Sequence, residues 1–306
     1  MYYARNYLES LIPSAWFRRR LQKTLQSVDG REDKDYILSR VDYYCKLETP
    51  VALPPDAIHI DTYNRRCAKV YWFDSMSINR WFPSSLKWVF RHGDINYVPD
   101  VPSIVKSRPV CQGNENGVIQ KLNKVRHFIF VKDKKRFSEK KDKVLFRGAI
   151  RNKGRRIAFF EQYFNHPMCD LGDVSKNFPE HEEWKVSKMT IKAQLDYKFI
   201  LALEGNDVAS NLKWVMSSHS IAVMPRPTCE TWFMEGTLKP NFHYIEIKPD
   251  YSDLEERLQY YIDHPDEAEA IIRNANQYVE QFKDKKRELL ISLLVMEKYF
   301  KMTNQI

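Results

Sequence analysis

At 306 residues the chain has the mass of about two domains of roughly 150 residues each, and its 43% hydrophobic and 29% charged residues, with 17 Tyr, 17 Phe and 7 Trp, exclude a disordered chain, a minidomain or a short adaptor. Its 9 glycines form neither GxGxxG nor GxxxxGKS/T, which argues against a dinucleotide enzyme of the fingerprint type and against a P-loop NTPase. Lys plus Arg number 49 against 40 Asp plus Glu, a net charge of +9, so the natural partner is anionic: nucleic acid, nucleotide phosphates or an acidic membrane surface.

The opening MYYARNYLES has no basic segment followed by an apolar core, and no stretch approaches about 18 consecutive apolar residues. The expectation is a soluble, cytoplasmic chain. Residues 14–28 read as a helix carrying Trp16-Phe17-Arg18-Arg19-Arg20-Leu21, a pattern that fits either a membrane-surface contact or a solvated helix face. In the first half, residues 69–73 (KVYWF), 87–91 (KWVFR), 103–106 and 127–131 (HFIFV) read as strands, with Pro83, Pro99, Pro102 and Pro109 in the loops. The basic run 132–143 reads as a hinge between domains or as a solvated hairpin loop within one. The second half alternates regularly: strand 143–147, helix 155–164, strand 198–203, helix 209–218, strands 220–224 and 243–247, then helices 252–263 and 266–282. Short apolar strands alternating with helices predict a parallel sheet covered on both faces, a Rossmann-like domain without the glycine fingerprint. A Leu-rich helix over 285–302 closes the chain.

In an open α/β sheet ligands bind beyond the carboxyl ends of the strands, and two such ends are chemically distinctive. The first is Arg147-Gly148, followed by Arg151, Lys153, Arg155 and Arg156, where guanidinium groups beside a glycine make a plausible phosphate grip. The second runs Glu204-Gly205-Asn206-Asp207-Val208-Ala209-Ser210-Asn211-Leu212-Lys213. It is either a helix start that attracts a diphosphate, with Lys213 adding charge, or an ordinary helix with an exposed lysine. In the first half Asp94, after Arg91-His92-Gly93, ends a strand; it is either a general base for a hydroxyl nucleophile or a turn aspartate. His59, His127, His166, His181, His219 and His243 show no metal or triad spacing, and Asp33-Lys34-Asp35 reads as helix-start charge rather than a metal-binding DxD. Cys45, Cys67, Cys111, Cys169 and Cys229 are odd in number and scattered, without CxxC, and read as reduced thiols.

The order of these elements resembles glycosyltransferase family 90, which includes protein O-glucosyltransferases, fungal capsule xylosyltransferases and bacterial lipopolysaccharide core transferases. The resemblance rests on Phe146-Arg147-Gly148, on YKFILALEGNDVASNLKWVMSSHSIAVM, on the ETWFMEG segment with Glu230, on the run LKPNFHYI and on GDINYVPDVPSIVKSRPV at 93–110. The bacterial branch fits best. The resemblance implies a GT-B architecture, two Rossmann-like domains facing across a cleft, and inverting transfer from a UDP-sugar without a metal or other cofactor. It implies an acceptor-side domain over 1–140, a UDP-sugar domain over 141–283 and a helix over 284–306 packing back. Carried over position by position, Asp94 is the base, and Arg147, Gly148, Arg151, Arg155, Gly205, Asn206, Ala209, Ser210, Asn211, Lys213 and Glu230 lie on the donor side. Lys106 and Arg108 lie on the acceptor side. Gly93 and Asn211 stand where eukaryotic members carry arginines, and Asn211 supplies no charge. The implied partners are a UDP-glucose or UDP-galactose donor, a lipopolysaccharide inner-core acceptor and the cytoplasmic face of the inner membrane. The rivals are an inactive homologue and a basic nucleic-acid-binding protein; the second is disfavoured because the aromatic residues sit mostly within apolar strands.

Overall fold

The computed structural model describes residues 2–62, 69–176 and 178–306, so Cys67 lies outside the described residues. The chain divides into two compact units, one made of Met1–Arg126, Cys229–Phe233 and Phe282–Ile306, the other of His127–Thr228 and Met234–Gln281.

The second unit holds five strands, β7 (Lys141–Gly148), β8 (Cys169–Asp173), β9 (Tyr197–Leu201), β10 (Ile221–Met224) and β12 (Ile245–Glu246), all parallel, in the order β12-β10-β9-β7-β8. Val144 sits opposite both Cys169 and Phe199, and Val223 opposite Ile245. Numbered within this sheet the order is 2-1-3-4-5, the doubly wound arrangement whose switch point falls between the first and third strands, here β7 and β9. The core on one face joins Val144, Phe146, Phe199 and Leu201 to Phe159 and Phe160 of α6 (Gly154–Tyr163) and to Leu254 and Leu258 of α9 (Leu254–Asp263). Two further helices, α8 (Leu212–Met216) and α10 (Pro265–Glu280), pack on β10 and on each other, and α7 (Ile191–Gln194) precedes β9. The continuous apolar runs KFILAL and SIAVM follow from burial on both faces. The basic run 132–143 lies inside this unit: Asp133 accepts from Lys140 Nζ at 2.7 Å and from the His219 amide at 3.0 Å.

The first unit is built differently. Its parallel sheet has three short strands in the order β3 (Phe90–Arg91), β4 (Ser103–Val105) and β6 (Gly117–Ile119), joined without crossover helices. Among the described residues this sheet therefore shows none of the strand–helix–strand units expected of a second Rossmann-like domain. Two small antiparallel pairs, β1 (Ile58–His59) with β2 (Lys87–Trp88) and β5 (Ser107–Pro109) with β11 (Cys229–Thr231), accompany it. The helices are α1 (Tyr2–Ser10), α2 (Ser14–Gln26), α3 (Lys34–Tyr44), α4 (Lys69–Asn79) and α11 (Lys285–Met302), and α5 (Lys124–His127) is a single turn. Glu288 of α11, 4% exposed, gathers Arg40 Nη1 at 2.5 Å, Lys121 Nζ at 2.6 Å and Trp232 Nε1 at 2.7 Å, which ties α11 and β11 into this unit.

Three strand expectations fail. Residues 69–73 begin helix α4, because a short aromatic run is buried equally well by either element. Residues 87–91 break at Val89, whose amide is held by Tyr299 Oη at 3.1 Å, so the two halves join different sheets. Residues 128–131 form no strand; His127 ends α5 and the Val131 amide bonds Ser217 Oγ at 2.9 Å instead.

Candidate active site

The switch point places the ends of β7 and β9 side by side. Gly148 at the end of β7 has no room for a side chain, since a Cβ would lie 2.7 Å from Cζ of Phe146. Beyond it, Asp173 at the end of β8, 1% exposed, shapes the loop: its Oδ1 accepts from the Ile150 amide at 3.1 Å, from the Ser175 amide at 2.9 Å and from Ser175 Oγ at 2.6 Å. Arg156 of α6 bridges the two strand ends by donating to the carbonyls of Ala149 (2.8 Å) and Leu203 (2.6 Å). Glu204 receives Arg155 Nη1 at 2.5 Å, the Thr228 amide at 2.9 Å and Thr228 Oγ1 at 2.6 Å, and Lys153 bonds Asn206. Arg151 and Arg155 are exposed on this edge. Gly148, Arg151, Arg155, Gly205 and Asn206 are thus gathered at one end of one sheet.

Arg147 and Lys213 are on the same unit but engaged elsewhere. Arg147 turns back along β8, bonding the Asp170 carbonyl at 2.8 Å and carboxylate at 2.5 Å, and Tyr197 Oη donates to the other carboxylate oxygen. Burial opposes ionisation of Asp170, but the bonds from Tyr197 and Arg147 outweigh it and hold the carboxyl low; burial and the same bond push Tyr197 up to about 12. Lys213 is not the exposed lysine of the bland sequence reading. It is 0% exposed and paired with Glu235, itself 1% exposed. Helix α8 begins at Leu212 rather than at 209 and is only five residues long, so little dipole is available there; Asn211 at its N-cap donates to the Leu201 carbonyl at 2.8 Å, Ala209 is buried and Ser210 half-buried.

A cleft of about 610 Å³ lies farther along the same edge, between the end of β12 and the start of α9, lined by Arg226, Lys248 and Arg257 with Asn241, Glu246 and Glu256. Nothing in the sequence singled it out, because its residues come from three separated segments.

In the first unit Asp94 follows β3 and is preceded by Gly93 at φ +104°, a left-handed geometry that an arginine would adopt only under strain. Lys106, 1% exposed, donates to Asp94 Oδ1 at 2.6 Å, and Ser107 Oγ bonds both the amide (3.1 Å) and the carbonyl (2.9 Å) of Ile95. Segments 93–95 and 106–107 are therefore stitched together, with the Asp94 carboxylate one-third exposed and held by a buried ammonium. A carboxylate that is partly exposed can accept a proton from a hydroxyl. Arg108 is 0% exposed and fully committed: it donates to Glu230 Oε1 at 2.8 Å and to the carbonyls of Gly117 (2.9 Å) and Tyr43 (2.6 Å). Glu230, on β11, also accepts from Tyr43, and it lies in the first unit with Arg108. Asp74, in α4, is 2% exposed and accepts from Tyr2 Oη at 2.6 Å; burial raises its pKa. Asp33 is the N-cap residue of α3 and is bonded by Arg31 at 2.6 and 2.9 Å, which accounts for the DxD-like triplet as helix-start charge.

Residues 113–304 match glycosyl transferase family 90. The chain is similar to the O-glucosyltransferase LpsA of Dichelobacter nodosus, with 40% identity over 304 residues, 98% of this chain and 94% of the relative. It is also similar to the uncharacterized protein 179R of Invertebrate iridescent virus 6, 30% identical over 136 residues that make up 42% of this chain and 11% of the viral protein. A shorter likeness, 30% over 102 residues, links it to the uncharacterized protein 035R of Invertebrate iridescent virus 3.

Proposed function

Since the chain belongs to glycosyltransferase family 90 and is a glycosyltransferase, we propose that it moves a hexose, glucose or galactose, from a UDP-sugar to an inner-core sugar of lipopolysaccharide, with inversion at C1 and without a metal. The single observation that carries the donor assignment is the coincidence of the topological switch point between β7 and β9 with the loop after Gly148, where Arg151 and Arg155 are exposed. The name of the 40% identical relative, an O-glucosyltransferase, favours glucose. We read the chain as a variant of the GT-B plan in which the second unit, the doubly wound one, holds the donor.

The chemistry follows from the leaving group. Cleaving the bond between sugar C1 and the UDP oxygen puts negative charge on the diphosphate and oxocarbenium character on C1. The exposed guanidinium groups of Arg151 and Arg155 are the groups that would meet that charge, by charge-assisted hydrogen bonds to phosphate oxygens. Arg147 and Lys213 act through their partners: the first holds β7 to β8, the second holds α8 beneath the edge. Asp94 takes the proton of the acceptor hydroxyl as its oxygen bonds C1, and Lys106 fixes the carboxylate for that task. The +9 charge suits a phosphorylated, lipid-borne acceptor.

Incubating the purified protein with UDP-sugars and truncated lipopolysaccharide, with and without excess EDTA, tests the reading. Hexose transfer that survives chelation is expected. UDP binding without transfer to any acceptor would indicate an inactive homologue, and activity restored only by manganese would overturn the metal-independent mechanism.

A further inference from the structure

The two most exposed large hydrophobic side chains among the described residues are Leu11 (78%) and Leu8 (68%), and Trp16 is 44% exposed close by in sequence. Their exposure does not come from unpacked helices. The inner sides of α1 and α2 are anchored: Tyr2 Oη bonds Asp74 at 2.6 Å, Arg80 donates to the Glu9 carbonyl at 2.7 Å and to that of Ile12, Phe17 meets Trp81 with ring centroids 5.3 Å apart, and Leu21 and Leu25 are buried. What remains outside is apolar and cationic. Residues 2–28 carry five basic side chains, Arg5, Arg18, Arg19, Arg20 and Lys23, and one acidic residue, Glu9, already paired with Arg5. The Arg20 guanidinium lies 3.6 Å from the centroid of the Trp16 ring, so a charge and an aromatic plane share one spot.

We propose that the outward faces of α1 and α2 dock the protein on an anionic phospholipid surface, with Leu8, Leu11 and Trp16 entering the acyl boundary and Arg19, Arg20 and Lys23 lying among the headgroups. Apolar side chains bordered by cations of a single sign have the composition of an interfacial helix. Tryptophan and arginine suit the headgroup level because each has an apolar body and a polar end. Aliphatic Leu8 and Leu11 offer no plane on which a base could stack, which disfavours nucleic acid. No helix among the described residues is long and apolar enough to cross a membrane, so the contact is with the surface. This inference is independent of donor and acceptor, because it is read without turnover.

The test is co-sedimentation of the full chain with vesicles of phosphatidylcholine alone and of phosphatidylcholine containing about one-quarter phosphatidylglycerol. Binding is expected on the anionic vesicles only, and salt should weaken it. Leu8→Ser with Leu11→Ser should weaken it on the order of tenfold per leucine. A second variant, Arg19→Gln with Lys23→Gln, should weaken it roughly fivefold per charge, since each cation near an anionic surface is worth about that factor. Exposure of Leu8 and Leu11 predicts unchanged thermal unfolding for the serine variant. The proposal is overturned if the wild type ignores anionic vesicles, if the serine variant binds them as well as wild type, or if that variant instead dissolves a dimer formed without lipid.

Discussion

Lys213 offers the sharpest test of how the donor unit works, because sequence and structure give it different tasks. By pattern it is either a charge for the diphosphate or an exposed lysine of an ordinary helix; in the fold its side chain is 0% exposed and faces Glu235, which is 1% exposed. Lys213→Met keeps the volume and removes the charge, leaving the Glu235 carboxylate buried without this counter-ion. Breaking such a pair from one side costs about 3–5 kcal/mol. For a unit of about 150 residues that is a fall in the unfolding midpoint on the order of 10 °C. Replacing both partners, Lys213→Met with Glu235→Leu, removes the uncompensated charge and should recover most of the loss, so the double-mutant cycle should give a coupling of at least about 2 kcal/mol. The double variant, once shown to be folded by circular dichroism, is then titrated with UDP in a calorimeter. Affinity within about threefold of wild type, about 0.65 kcal/mol, is expected if Lys213 acts by holding α8. A single variant that loses less than about 1 kcal/mol of stability, or a stable double variant that binds UDP more than about tenfold more weakly, would refute the reasoning; the second result would return the charge to the diphosphate.

The second half of the fold was legible where its strands are short apolar runs buried on both faces and where α9 and α10 keep acidic residues in their first turns; β8, CDLGD, carries no such run and is not read from the sequence. Helix α11, read over 285–302, is Lys285–Met302 in the structure. The first half was less legible for a physical reason: its sheet is made of strands of two or three residues, too short to carry a period, and its aromatic runs are buried whether helical or extended. Of the candidate site, sequence located the chain positions that reach the switch point but not the direction of each side chain. Arg147 and Arg156 look equivalent as letters; one reaches Asp170, the other caps the carbonyls of Ala149 and Leu203. Glu230 reads as a donor-side residue through its neighbours in ETWFMEG, and its strand pairing with Arg108 is not visible in the sequence. Such pairings join residues more than a hundred positions apart and leave no local mark.

Two further predictions concern single carboxylates. Asp33, held down to about 2 chiefly by its hydrogen bond from Arg31 and then by Arg287, gives stability that is complete above the ordinary carboxylate value of roughly 4 and is lost as pH falls towards 2; urea midpoints of Asp33→Asn should therefore depend less on pH over that window than those of wild type, and parallel curves would remove the linkage. Asp94→Asn keeps an oxygen for the Lys106 ammonium, so the stitched loop should persist while the proton-accepting charge is gone. Positioned bases contribute typically 10²–10⁴-fold, and kcat should fall by that range with the KM for UDP-sugar little changed, because the donor-side groups lie in the other unit's sequence. If Asp94 serves only as the counter-ion of Lys106, the substitution will lower the unfolding midpoint while turnover per folded molecule stays near wild type, and the base must then be sought in another residue.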